Sequence, residues 1–294
     1  MIDPFILACC GKTLDCRPGR PEGPVVMGIL NVTPDSFSDG GRYTEVDTAL
    51  ARAEAMLREG ATVIDVGGES TRPRGKAYGA GAGPVSEADE RARIEPVVRA
   101  LAARFHEAII SIDTYKPSIA RAALDAGAHL VNDVTGLRLY PEMADVAAEA
   151  GAPLILMHSL GRPGEMPHEH RYADVVEEVF ASLRASVAVA ERAGVRHLVT
   201  DPGFGFGKTP GENAALINRV DRFLDLGRPV LVGISRKSSI AALLDAPETP
   251  PEERLYGTLG ATAVAVLRGA TIVRTHDVRA TAEMLRVLTN VMRA

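Results

Sequence analysis

Acids, amides and bases recur in this sequence at one kind of place, the last residues of short, β-branched apolar runs. Read in order, the run ends are Asn31, Gly67-Gly68-Glu69, Asp113, Asn132-Asp133, His158, Asp201, Ser235-Arg236-Lys237, and Arg274 with His276. Such groups are costly to bury and able to bind. A single Asn or Asp after a strand is explained by capping of the next helix. That explanation weakens when every run ends this way and Lys, Arg and His are included. Asp113, Asn132 and Asp201 are carboxylate and amide acceptors, which suit a planar heterocycle with several N–H donors held edge-on. Lys237, Arg274 and His276 are cationic or donor groups, which suit a dianionic cluster of oxygens. Asn31 and the loop TPDSFSDGG (33–41) offer oxygen ligands for a hard cation such as Mg²⁺. Together these residues describe a pocket for an N-rich ring that carries a diphosphate. Asp65, in the middle of its run, fits either a satisfied core carboxylate or the floor of that pocket.

These residues meet only if the fold brings the run ends to one rim. The runs begin near Val25, Thr62, Ile109, Leu130, Pro153, Leu198, Pro229 and Ile272. They are almost continuously hydrophobic, as strands buried on both faces must be. Between them lie stretches with helical spacing, such as 47–60, 87–105 and 174–194. Gly-Ala pairs at 60–61, 127–128, 151–152 and 269–270 sit where helices should close, because Gly takes the left-handed C-terminal conformation. Strand and helix in alternation impose a parallel sheet covered by helices. Eight such units predict an α/β fold, a single closed (β/α)8 barrel whose chemistry lies at the C-terminal ends of its strands. An open, doubly wound sheet is the alternative, and it ranks behind because no Gly-x-Gly-x-x-Gly follows the first strand. Residues 1–24 read as an N-terminal extension and 25–294 as the barrel, one domain in all. The Gly/Ser-rich loops 33–41 and 71–84 have the composition of mobile segments that close over a site.

Composition excludes several function classes. Thirty-three basic against 38 acidic residues leave a net charge of −5, which argues against nucleic acid or an anionic membrane as main partner. The longest apolar runs are strand-sized, so no membrane span is expected, and MIDPFILACC lacks the basic start of a secretory signal. Cys9, Cys10 and Cys16 are too few and too close together for a disulfide framework or a zinc site. They are expected to be reduced thiols on a mobile or edge segment of a cytoplasmic protein. Gly207-Lys208-Thr209 looks like the end of a phosphate-binding loop, but Pro202 stands where such a loop needs its first Gly. His168 and His170 read as a solvated loop.

With these residues in view, the chain resembles the dihydropteroate synthase family. The resemblance rests on GILNVTPDSFSDGG (28–41), VIDVGGESTRP (63–73), ISIDT (110–114), VNDVTG (131–136), DPGFGFGKT (201–209), GISRKS (233–238) and VRTHDV (273–278). It implies a TIM barrel, a homodimer, that condenses 4-aminobenzoate with (7,8-dihydropterin-6-yl)methyl diphosphate using Mg²⁺. It implies that Asp113, Asn132, Asp201 and Lys237 hold the pterin ring, with Lys237, Asp113 and Asp201 as the catalytic residues. It further implies that Asn31 reaches the diphosphate-bound Mg²⁺, that Thr71, Arg274 and His276 contact the diphosphate, and that Arg72, Phe206 and Ser238 border the 4-aminobenzoate. Two features depart from the family pattern: Ser159-Leu160 replaces a Met-x pair after His158, and the loop over 72–86 is longer than usual. A pterin-binding paralogue without condensing activity is the alternative. A methyltetrahydrofolate-binding barrel of the corrinoid methyltransferases would not need the Lys-Ser and Arg-x-His pairs of the last two strands.

Overall fold

The structure, a computed structural model, describes residues 3–32, 42–69, 85–161 and 172–294. The chain opens with an antiparallel hairpin, β1 (Ile6–Cys9) and β2 (Lys12–Asp15). Eight parallel strands follow: β3 (Val25–Asn31), β4 (Val63–Gly67), β5 (Ile109–Asp113), β6 (Leu130–Asp133), β7 (Leu154–Met157), β8 (Leu198–Asp201), β9 (Leu231–Val232) and β10 (Ile272–Thr275). Helices separate them: α1 (Arg42–Glu59), α2 (Glu87–Arg104), α3 (Pro117–Asp125), α4 (Met143–Ala150), α5 (Val175–Arg192), α6 (Pro210–Asn218), α7 (Val220–Leu224), α8 (Ser238–Leu243), α9 (Leu255–Leu267) and α10 (Val278–Arg293). Strands pair in the order β8-β7-β6-β5-β4-β3-β10-β9, and a bridge from Thr200 to Val230 joins the two ends. The sheet is therefore a ring, and the barrel expected from the sequence is the fold adopted.

Local chemistry fixes the helix ends. Asp174 accepts hydrogen bonds from the amides of Val176 and Glu177 and caps α5. Thr209 and Glu212 form a reciprocal capping box on α6. The glycines read as helix closers, Gly60, Gly127, Gly151 and Gly269, all have positive φ, from 65° to 112°.

Alternation along each strand sorts the core into two layers. Outward residues such as Val26, Ile64, Ile110, Val131 and Leu156 pack against the helices. Inward residues Val25, Met27, Val63, Ile109, Leu130, Ile155, Val199, Leu231 and Ile272 form a separate apolar floor inside the ring. The hairpin seals that floor from below, because Leu7, Cys9, Leu14 and Cys16 belong to the same cluster. This corrects the expectation for two of the cysteines. Cys9 and Cys16 are free but buried in the floor, where burial raises both thiol pKa values, that of Cys9 to about 12. Only Cys10 is exposed. The sequence did not mark residues 6–16 as a strand pair, because a four-residue strand with one buried face leaves little periodicity to read. Among the described residues no helix is long and apolar enough to cross a membrane.

Leu7 is fully buried at the centre of the plug. Leu7→Ala is expected to lower the unfolding free energy by about 2–5 kcal/mol, read from urea unfolding; an unchanged midpoint would show that the hairpin does not support the barrel.

Candidate active site

Two residues above the apolar floor, the inward positions of five strands turn polar. Ile109 is followed on the same face by Ser111 and Asp113, Val63 by Asp65 and Gly67, Leu130 by Asn132, Val199 by Asp201, and Ile272 by Arg274 and His276. Sheet register then aligns them. Asn31 pairs with Gly67, Gly67 with Asp113, and Asp113 with Asn132, so one row crosses four strand ends.

Arg274 sits at the centre. Its Nε donates to Asp65 Oδ2 and its Nη2 to Asp113 Oδ2, each at 2.6 Å. Asn132 Nδ2 donates to the same Asp65 oxygen at 3.1 Å, so the acceptor end of the Asn132 amide is the one left for a ligand. Asp65 is thus both a satisfied core carboxylate and the floor of the site, and it positions two of the predicted ligands. Burial works against the charge of Arg274, but Asp65 and Asp113 outweigh it and its pKa is raised. Burial also pushes the Asp113 carboxyl up, to about 7, against the pull of Arg274. Asp65 Oδ1 and Asp113 Oδ1 are buried with no hydrogen-bond partner among the described residues. Two orphaned acceptors in a polar cradle call for a donor-rich ligand. Asn31 Oδ1 and Asp113 Oδ2 both lie 3.7 Å from where a Cβ on Gly67 would stand, so the two oxygens border the same gap over Gly67.

Lys237 and Asp201 form the second half. Lys237 Nζ donates to the Phe204 carbonyl and sits 4.3 Å from the centre of the Phe206 ring. Burial lowers its pKa to about 7, while Asp201 pulls it up. Burial raises Asp201, opposed chiefly by Lys237. The halves meet at Gly233, where an added Cβ would lie 4.0 Å from both Arg274 Cδ and Lys237 Nζ. Ser238 follows as the first residue of α8. His276 is steadied by Ser235, whose Oγ accepts the His276 amide at 3.1 Å and lies 3.0 Å from Nδ1. Tyr115, Val134, Met157 and Phe206 form an apolar wall along the rim.

Of the predicted site residues, Asn31, Asp113, Asn132, Asp201, Phe206, Lys237, Ser238, Arg274 and His276 lie at this rim. Thr71, Arg72, the loops 33–41 and 71–84, and His168 with His170 lie outside the described residues. Lys116 binds the two residues that flank 70–84, donating to Glu69 Oε2 at 2.5 Å and to the Val85 carbonyl at 2.7 Å, and it also meets Glu90 at 2.7 Å. The Ser159-Leu160 departure is absorbed locally: the Ser159 carbonyl accepts from Arg138 at 2.8 Å and Leu160 packs against Gly207. Sequence reasoning passed over the Phe204 carbonyl, Ser235 as a partner of His276, and Lys208. A main-chain acceptor carries no residue-type signal, and Lys208 stands in a motif that lacks the first Gly of a phosphate loop.

Comparison with known proteins agrees with this geometry. Residues 27–276 match the family described as pterin binding enzyme. The dihydropteroate synthase of Escherichia coli K12 is 46% identical over 267 residues, 90% of each chain. A probable bifunctional folylpolyglutamate synthase/dihydropteroate synthase of Haloferax volcanii is 48% identical over 259 residues, 87% of this chain; the match spans 29% of that longer protein. A solved structure of Xanthomonas albilineans dihydropteroate synthase with 4-aminobenzoic acid is similar at TM-score 0.87 and 42% identity, over 99% of both chains.

Removing Asp65 leaves Arg274 buried with one carboxylate in place of two. Asp65→Ala is expected to cost about 3–5 kcal/mol of stability by chemical denaturation, and a loss below about 1 kcal/mol would contradict a buried triad.

Proposed function

The chain belongs to the dihydropteroate synthase family of pterin binding enzymes, and from that premise we propose that it condenses 4-aminobenzoate with (7,8-dihydropterin-6-yl)methyl diphosphate to give 7,8-dihydropteroate and diphosphate. The observation that carries this reading is the row of acceptors, Asp113 and Asn132, beside Asp201 and under the cations Arg274 and Lys237. The ring's N–H edge meets Asp113 Oδ1 and the Asn132 amide oxygen, while Lys237 donates to a ring acceptor. His276, the remaining Nη1 of Arg274, and Thr71 take the diphosphate. As the methylene C–O bond breaks, its electron pair leaves with diphosphate, where Arg274 and His276 hold the growing negative charge. Asp113 and Asp201 offset the positive charge left on the pterin methylene. The aryl amine, bordered by Arg72, Phe206 and Ser238, forms the new N–C bond to that carbon and gives up a proton. The apolar wall keeps water from competing for the cation-like carbon.

Mg²⁺ belongs to the proposal through the diphosphate. Among the described residues no group of three or more His, Cys, Asp or Glu could hold a metal. A protein-only cage is therefore not what these residues offer. Asn31 with its side-chain oxygen facing the Gly67 gap fits an ion that arrives on phosphate oxygens, with the protein adding one neutral ligand. When bound, the ion neutralises leaving-group charge. We further propose a cytoplasmic homodimer that pairs through α9 and α10. Tyr256, Leu267, Val287, Val291 and Met292 are exposed on those adjacent helices, an apolar face suited to a second copy of the chain. Sedimentation velocity reads that state directly; a monomer at micromolar concentration would refute it.

The reaction is tested by diphosphate release with pterin diphosphate, Mg²⁺ and 4-aminobenzoate. Release is expected to depend on 4-aminobenzoate, and a rate independent of it would overturn the condensation. Lys237→Ala and Asp113→Ala are each expected to lower kcat/KM by about 10²-fold. Ring binding needs Asp113 ionised and Lys237 protonated. With both pKa values drawn to about 7, kcat/KM for the pterin diphosphate should fall on either side of neutrality. Lys237→Met should lose the alkaline limb; a flat profile in the wild type would rule out this pair as ring ligands.

A further inference from the structure

The Gly207-Lys208-Thr209 motif, rejected as a phosphate loop, has a use that its geometry explains. A phosphate loop turns successive amide N–H groups toward an anion. The segment 202–208 does the reverse. Gly203, Gly205 and Gly207 all have left-handed φ, at 71°, 81° and 66°. Their alternation with Phe204 and Phe206 turns carbonyls inward, and the chain supplies its own cation to meet them. Lys208 Nζ donates to the Gly203 carbonyl at 2.7 Å, the Phe206 carbonyl at 3.1 Å and the His158 carbonyl at 3.4 Å. Three acceptors match the three N–H donors of one ammonium.

The loop is packed too closely for other side chains. A Cβ on Gly203 would lie 1.9 Å from the His158 carbonyl oxygen, and one on Gly205 would lie 2.6 Å from Lys237 Cδ. Asn213 adds a second tie, accepting the Gly205 amide at 2.7 Å and donating to Ser239 Oγ at 2.9 Å, next to Ser238. Lys208 thus fastens the end of β7 to the loop after β8. That loop carries the Phe206 ring and the Phe204 carbonyl to which Lys237 donates.

We propose that Lys208 is a positioning residue for the aryl-amine subsite, its ammonium folding residues 203–206 around itself so that Phe206 and Lys237 stand where the two substrates meet. This rests on the condensation reading for the identity of the substrates, while the folding of the loop around the ammonium does not.

The test compares wild type with Lys208→Ala in the diphosphate-release assay, together with amide hydrogen exchange over 203–207. The KM for 4-aminobenzoate is expected to rise about tenfold or more, by more than the KM for the pterin diphosphate. Exchange over 203–207 is expected to accelerate. Added n-propylammonium, which replaces the deleted carbons and nitrogen, should lower the raised KM; tetramethylammonium, which has no N–H, should not. Should Lys208→Ala fail to fold, Lys208→Met keeps the stem and is read for KM and exchange in the same way. A 4-aminobenzoate KM within about twofold of wild type, or a loss shared equally by both substrates and indifferent to propylammonium, overturns the proposal. If wild type itself releases no diphosphate in response to 4-aminobenzoate, the condensation reading has failed. Unchanged exchange over 203–207 would then sink the positioning role on its own terms.

Discussion

A guanidinium held between two carboxylates inside a barrel is the constraint from which the site follows. Asp65 is fully buried, Asp113 is 6% exposed and Arg274 20% exposed at the side chain. Charges so far from water are tolerated only when paired and hydrogen-bonded. Buried ion pairs of this kind are often no more stabilising than apolar residues of similar volume. The members of the trio are bound to one another in the absence of any ligand. Asp113 gives one oxygen to Arg274 while its other has no partner among the described residues, and Arg274 gives two of its donor groups to aspartates. Each residue is thus oriented by one contact and available through another.

The same barrel supports opposite environments a few ångströms apart because inward positions repeat every second residue. The lower layer is aliphatic and sealed by the N-terminal hairpin; the upper layer is charged and lies at the rim. The seal gives the charged layer a rigid, dry base, which strengthens each electrostatic contact above it. At the rim, the loop after β8 solves a matching problem. It must bring Phe206 against Lys237, and glycines at left-handed φ allow the approach while an internal ammonium gathers the carbonyls.

Much of this was legible in the residues. The apolar runs located all eight barrel strands, since a strand buried on both faces can hardly be written otherwise. The polar residues at the run ends located the rim. Asp65 showed the limit of such reading: a carboxylate inside an apolar strand signals something, but only the partner, 209 positions away, says what. The hairpin was missed because its two four-residue strands carry no repeating pattern of their own. Its burial is created by the barrel floor that it covers. Lys208 was missed for a different reason: its partners are three carbonyls, which every residue type owns.

The central claim is that Asp113 and Asn132 read the ring while Arg274 stays locked between Asp65 and Asp113. A crystal structure with the pterin diphosphate bound tests it most directly. The account predicts ring N–H groups within hydrogen-bonding distance of Asp113 Oδ1 and the Asn132 side-chain oxygen, with Arg274 still donating to Asp65. A ring bound outside the barrel mouth, or an Arg274 that leaves Asp65 when the ligand enters, would contradict it.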